Sequence, residues 1–180
     1  MKSLRMLLLP FSWLYGMVVM LRNFLFDAGL LKSRTVNLPV ICIGNLNTGG
    51  TGKTPHTEYL LSALSNYKTA VVSRGYGRNT SGIAEVLVDS QANDTGDEPL
   101  QIKRNFPTVP FIVSEKRNDG IDYLLKHHPN TEVILLDDAF QHRSVKAGMN
   151  LLLTQYNDLF TNDCLLPAGN LREPALSASR

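Results

Sequence analysis

An apolar run, Val40-Ile41-Cys42-Ile43, is followed closely by Gly49-Gly50-Thr51-Gly52-Lys53-Thr54 and then by a helix-forming stretch from Pro55 to Ser65. A strand, a glycine-rich turn, Lys-Thr and a helix in that order leave few folds open. Glycines let consecutive backbone N–H groups converge on one point, and a helix N-terminus adds partial positive charge there. The stretch from Asn47 and Thr48 through Gly49, Gly50, Thr51, Gly52, Lys53 and Thr54 is therefore a candidate cradle for a nucleotide triphosphate such as ATP. Lys53 would reach the β- and γ-phosphates, and Thr54 would hold Mg²⁺. One position departs from the G-x-x-x-x-G-K-T pattern, because Asn47 stands where the first glycine is usual. Asparagine tolerates positive φ better than other non-glycine residues, so the turn is expected to survive.

With 180 residues, 43% of them hydrophobic, the chain is large enough for one well-filled core. A formal charge of +2 and the lack of any Lys/Arg run argue against a nucleic-acid partner. Two cysteines, Cys42 and Cys164, make neither a disulfide framework nor a metal spacing, which suits a reducing compartment.

Between Met6 and Leu21 there is no charged residue, and Arg5, Arg22, Lys32 and Arg34 surround this apolar block. Pro10 suits a first helical turn and Gly29 a C′ position, which bounds a helix of about 19 residues and ~28 Å. Stepping by about 100° per residue gathers Ser12, Tyr15, Gly16, Arg22, Asn23 and Asp27 on one narrow face. Leu14, Met17, Val18, Leu21 and Leu25 lie away from it. The expectation is a helix lying in a membrane interface, its basic flanks on anionic headgroups. A helix in a core or a dimer interface shares this composition.

Further along, apolar runs alternate with amphipathic ones. Strands are expected at 38–43, 69–73, 85–88, 110–113, 132–136 and 150–153, and helices at 55–65, 98–104 and 116–127. The pattern predicts an α/β, P-loop NTPase-like fold: a mostly parallel sheet with helices on both faces, preceded by the apolar amino-terminal helix. Ligands of such sheets collect at the carboxyl ends of the strands. At those ends stand Asp137-Asp138, in the form of a Walker B element, and Ser73-Arg74-Gly75-Tyr76-Gly77-Arg78, whose arginines could fork onto phosphate or lie solvated on a glycine hairpin. Thr95-Gly96-Asp97-Glu98-Pro99 reads locally as a helix cap, with Thr95 and Glu98 as a capping box or Asp97 as N-cap. A carboxylate there could instead take a proton from an attacking hydroxyl. His127-His128 reads as a solvated helix end.

These stretches together resemble the tetraacyldisaccharide 4′-kinase family, the lipid A 4′-kinases. The resemblance is carried by Gly44-Asn45-Leu46 through Lys53-Thr54-Pro55, Ser73 to Arg78, and Gly96-Asp97-Glu98-Pro99. It continues through Asp137-Asp138-Ala139-Phe140-Gln141-His142 and Leu166-Pro167-Ala168-Gly169-Asn170-Leu171-Arg172-Glu173-Pro174. It implies transfer of the ATP γ-phosphoryl group to the 4′-hydroxyl of a tetraacylated glucosamine disaccharide 1-phosphate, at the cytoplasmic face of a bacterial inner membrane. By that resemblance Asp97 is the base, Lys53 and Thr54 serve phosphate and Mg²⁺, and Asp137 and Asp138 complete the metal site. Gln141 and His142 orient nucleotide or metal, and Arg74, Tyr76 and Arg172 grip phosphate.

Three regions are expected: 1–35 as membrane helix and linker, 36–160 as nucleotide-binding lobe, and 161–180 as the start of a connection to a second lobe. Relatives of this kind are longer, so this chain is expected to bind Mg-ATP with weak or absent turnover. Two rival classes share the phosphate loop. A membrane-targeted switch ATPase usually carries a lysine six residues before the final threonine, where this chain has Thr48. The other is a nucleotide-binding module without turnover.

Overall fold

The computed structural model describes residues 5–180. Its centre is a six-stranded sheet in the order β4-β5-β3-β6-β2-β8. The strands are β2 (Val40–Asn45), β3 (Thr69–Ser73), β4 (Ala84–Glu85), β5 (Phe111–Val113), β6 (Val133–Asp137) and β8 (Met149–Leu153). All pairings are parallel except β4 on β5. A second, two-stranded parallel pair joins β1 (Arg34–Thr35) to β7 (Val145–Lys146).

Side chains alternate across a strand, and the core divides accordingly. Ala70, Val72, Ile112, Ile134 and Leu136 face one side with Ile121 and Leu124 of α5 (Arg117–His127). Val71, Phe111, Val113, Val133 and Leu135 face the other with Leu61 of α2 (Lys53–Ala63) and Leu100 and Ile102 of α4 (Asp97–Asn105). Helices therefore cover both faces, which is why these strands read as continuous apolar runs. The single turn α3 (Ala92–Thr95) precedes α4.

Most element boundaries fall within two residues of the sequence expectation. The strand expected at 85–88 is shorter, because only Ala84 and Glu85 pair with β5. Val86 still donates its N–H to Phe111 O, but a turn closed by Ser90 onto Leu87 then lifts the chain away. Of the His127-His128 pair, His127 is exposed at the helix end as expected and His128 is half-buried. His128 Nε2 lies 3.0 Å from Glu85 Oε1, and His127 stacks on Tyr123.

The first helix, α1 (Leu9–Asp27), has the expected 19 residues with proline in its first turn. Its polar stripe faces the protein and its apolar side faces out. Ser12 is 2% exposed and Trp13 is 73% exposed, with Phe11, Met17, Val18, Leu21 and Phe24 outward as well. Ser12 Oγ donates to Leu165 O and accepts from Ala168 N, and the Tyr15 hydroxyl donates to Arg172 O. A core helix would show the reverse pattern.

Most of the basic flank, expected on headgroups, is held by protein instead. Arg5 donates to Pro167 O, Gly169 O and Asn170 Oδ1, Arg22 pairs with Glu173, and Arg34 pairs with Asp122. These oxygens lie within reach of the helix ends, and a guanidinium fork satisfies several at once.

Gly44 marks the tightest approach between the phosphate-loop strand and the turn after β6. A Cβ there would stand 2.6 Å from Phe140 Cβ and 3.0 Å from Phe140 N. Gly44→Ala is expected to destabilise the chain by about 1–3 kcal/mol, read as a lower urea midpoint at unchanged slope.

Candidate active site

The carboxyl end of β2 runs through Leu46 and Asn47 into the glycine loop. Gly49 has φ 120° and Gly52, the residue before α2, has φ 81°, conformations that favour glycine. Helix α2 starts at Lys53, two residues earlier than expected, so Lys53 and the half-buried Thr54 occupy its first turn. The Gly49 carbonyl accepts from Asn45 Nδ2 and the Gly50 carbonyl from Gln155 Nε2, the latter at 2.6 Å. Asn45 Nδ2 also donates to Thr51 Oγ1 at 2.9 Å. With the carbonyls so held, none of the amides of residues 49–53 meets a protein acceptor among the described residues. The result is an anion nest at a helix N-terminus.

Asn47 does not use the positive φ expected of it. Among the described residues Asp138 is the one non-glycine residue at positive φ. Asn47 is buried and bridges antiparallel to Leu171, with Thr48 N donating to Asn170 O and Arg172 N to Leu46 O, each at 2.7 Å. The Leu-Arg-Glu-Pro segment thus makes an isolated antiparallel bridge beside the start of the phosphate loop and fixes that turn.

Strand β6 lies beside β2 with Ile43 opposite Asp137, so its acidic end meets the same loop. Asp138, at φ 46°, turns its carboxylate toward two cations. Arg172 Nη1 donates to its Oδ1 at 3.1 Å, and Lys53 Nζ stands 3.7 Å from the same oxygen. Gln141 joins them, its Oε1 3.4 Å from Arg172 Nη1 and its Nε2 donating to Asn45 O. Asp137 is buried and accepts from the Thr57 hydroxyl at 3.2 Å. Burial first, then the charges of Asp138 and Glu98, push its carboxyl up to about 6. Behind both carbonyls sits Arg117, 1% exposed, donating to Ser114 O, Asp137 O and Asp138 O. Burial lowers it to about 10, which leaves it charged at neutral pH.

The loop after β3 and the start of α4 come together through two glycines. A Cβ on Gly96, at φ 97°, would meet the Tyr76 carbonyl oxygen at 2.9 Å, so the two backbones touch. The capping expectation at 95–98 fails here. Gly96 is the N-cap and no side chain caps α4, while Thr95 Oγ1 donates back to Gln91 O. Asp97, the first helical residue, is exposed, as are Arg74 and Tyr76. Arg78 is not free for a ligand, being paired with Glu115 and bound to Gly82 O. Its neighbours in the motif keep the phosphate-gripping expectation open. His142 lies close to Arg74, Arg117 and Asp138, and burial followed by the two arginines lowers it to about 4. At neutral pH it is a neutral imidazole, suited to orienting a group by hydrogen bond.

One connected cluster therefore joins the phosphate loop, Lys53, Asp137, Asp138, Gln141 and Arg172, with His142 near Asp138 and Arg74, while Tyr76 and Asp97 stand exposed on the loop after β3 and the first turn of α4. Asn45, Thr57, Arg117, Gln155 and Glu173 support the site without having been singled out as ligands in the sequence. No motif marks Thr57 or Arg117, although Arg117 follows a strand end, the place such sheets reserve for polar work. Among the described residues no group of three or more His, Cys, Asp or Glu gathers as a metal cage. A hydroxyl and one or two carboxylates suit Mg²⁺ shared with phosphate oxygens and water.

A family model described as tetraacyldisaccharide-1-P 4′-kinase matches residues 4–180. The chain is similar to a tetraacyldisaccharide 4′-kinase of Bacteroides fragilis, 55% identical over 175 residues covering 96% of this chain and 46% of the relative. It is 51% identical to that of Flavobacterium johnsoniae over 181 residues, covering 100% of this chain and 53% of the relative. A crystal structure of LpxK from Aquifex aeolicus in complex with ATP superposes with a TM-score of 0.92 at 40% identity, covering 98% of this chain and 56% of that one. The chain spans about half the length of the curated relatives it matches. With the family model running nearly end to end and the fold agreeing at this level, the chain belongs to the tetraacyldisaccharide-1-phosphate 4′-kinase family.

Proposed function

We propose that this chain forms the nucleotide-binding lobe of a lipid kinase that moves the ATP γ-phosphoryl group to the 4′-hydroxyl of a tetraacylated disaccharide 1-phosphate at a membrane surface. The observation that carries the reading is the close seat of Gly96 on the Tyr76 carbonyl. It supports reading Asp97, exposed in the first turn of α4 with no side-chain partner among the described residues, as a carboxylate free to face the phosphate loop. Asp97 accepts the hydroxyl proton as the sugar oxygen bonds to the γ-phosphorus and the bridge to the β-phosphate breaks, releasing ADP. Lys53 and Arg172, both on Asp138 in this structure, supply the charge that the transferring group meets. Arg74, Tyr76, Gln141 and the neutral His142 orient the reactants.

Mg²⁺ would be held by Thr54 with Asp137 and Asp138, and when bound it neutralises charge on the phosphate oxygens. The outward apolar face of α1 would rest in the acyl region of the inner membrane, where an acylated acceptor also resides. Thr48 stands at the place of the switch lysine, which gives the switch-ATPase alternative no support.

Three results test this reading. Mg-ATP should bind the chain in a calorimetric titration. Asp97→Asn should leave that affinity within about threefold and lower transfer to a radiolabelled disaccharide by ~10²–10⁴. Equal and measurable transfer by both forms would remove Asp97 from the base role, whereas no transfer by either would fall on the 180-residue length and not on Asp97.

Asp137 adds a pH dependence. Its folded value is raised, so without Mg²⁺ the contribution of this group to stability falls as pH rises from the ordinary carboxylate range through about 6. Metal must displace its proton below that value. Mg-ATP affinity should therefore decline as pH drops through about 6, and Asp137→Asn should abolish that dependence while raising the melting temperature of the metal-free chain at pH 8. Finally, Trp13 is the single tryptophan, and its emission should shift to the blue on adding anionic vesicles. No shift would place α1 off the membrane.

A further inference from the structure

Helix α1 is bound to the body through the same short segments that build the kinase site. Glu173 is 1% exposed, with Oε1 2.7 Å from Arg22 Nη2 and Oε2 3.3 Å from Asn23 Nδ2. Arg180 Nη1 also pairs with Oε2, at 2.9 Å. A buried carboxylate is tolerated only while such partners stay in place, so its position depends on where α1 sits. The residue before it is Arg172. Its carbonyl accepts from Tyr15 of α1, its N–H donates to Leu46 at the entry of the phosphate loop, and its guanidinium lies on Asp138. Arg22 Nη2 also donates to the carbonyl of Gln141, whose side-chain oxygen faces Arg172. Two residues around Asp138 are thus gripped by the backbone from a helix whose opposite side is apolar and exposed.

We propose that Glu173 is a positioning residue that registers the seating of α1, through Arg22 and Asn23, and so sets the Arg172 guanidinium against Asp138 and Lys53. The proposal rests on the kinase reading above, in which Arg172 and Lys53 face the γ-phosphate end of the nucleotide. Disturbing Glu173 or its α1 partners then weakens ATP and spares ADP, which lacks that phosphate. Loss of a merely structural carboxylate would weaken both together.

The test is a pair of Mg²⁺-containing titrations, with ATP and with ADP, on the 180-residue chain in mild detergent, recording circular dichroism for each variant. The ATP-over-ADP preference should fall about tenfold in Glu173→Gln and Arg22→Met, the scale of one lost charged contact. Arg22→Lys should recover part of it. Tyr15→Phe removes one hydroxyl from the Arg172 carbonyl and should lower the preference by about two- to threefold at unchanged ADP affinity. Should Glu173→Gln not fold, Tyr15→Phe and Arg22→Lys decide the matter. A wild type that prefers ATP, with folded variants keeping that preference or losing both nucleotides in parallel, overturns the positioning role alone. A wild type that binds neither nucleotide, or does not distinguish them, overturns the kinase reading and this proposal with it.

Discussion

The in-register parallel pairing of β2 with β6 is the constraint on which the site depends. With Ile43 opposite Asp137, the strand that enters the glycine loop and the strand that ends in two carboxylates stop at the same level. Lys53 and Asp138 then meet although 85 residues of chain position separate 53 from 138. A slip by one residue would turn every side chain of β6 to the other face. Val133, Leu135 and Asp137 would exchange places with Ile134 and Leu136, and the buried acid would leave the phosphate loop. The two apolar clusters on either side of the sheet oppose that slip, so core packing holds the register that the chemistry uses.

Much of this was legible in the chain because local physics and tertiary structure agree. The strands are apolar on both faces, the glycine turn demands its own backbone, and α1 ends where proline and glycine say it should. The failures are equally physical. The segment at 95–98 reads as a cap since Thr, Asp and Glu satisfy helix ends elsewhere, but the contact of Gly96 with the Tyr76 backbone is long-range and invisible locally. Asn47 reads as a residue chosen for its φ, whereas it is held by an antiparallel bridge to Leu171, 124 positions further on. No motif marks Arg117, and the Leu-Arg-Glu-Pro block includes Glu173 without giving it a part. Only the fold shows that each is buried among partners.

Charge around the site is arranged so that each buried ion has an answer nearby. Arg117 lies against the carbonyls of the acidic turn, Arg172 and Lys53 share Asp138, and Glu173 gathers Arg22 and Arg180. Such pairs contribute modest net stability, and removing one member costs more than the pair supplies. Their value is geometric. They leave Asp137 buried with one hydroxyl for support and raised by its surroundings, so in the proposed reading an arriving divalent ion would meet a carboxylate whose charge is otherwise costly.

The outward hydrocarbon rim of α1 has a practical consequence for the molecule away from lipid. In plain buffer, the exposed side chains of Phe11, Trp13, Leu14, Met17, Val18, Leu21 and Phe24 meet water, and the cheapest shelter is the same rim of another copy. Solubility without surfactant would then be governed by self-association through this one helix, while the sheet stays folded beneath it.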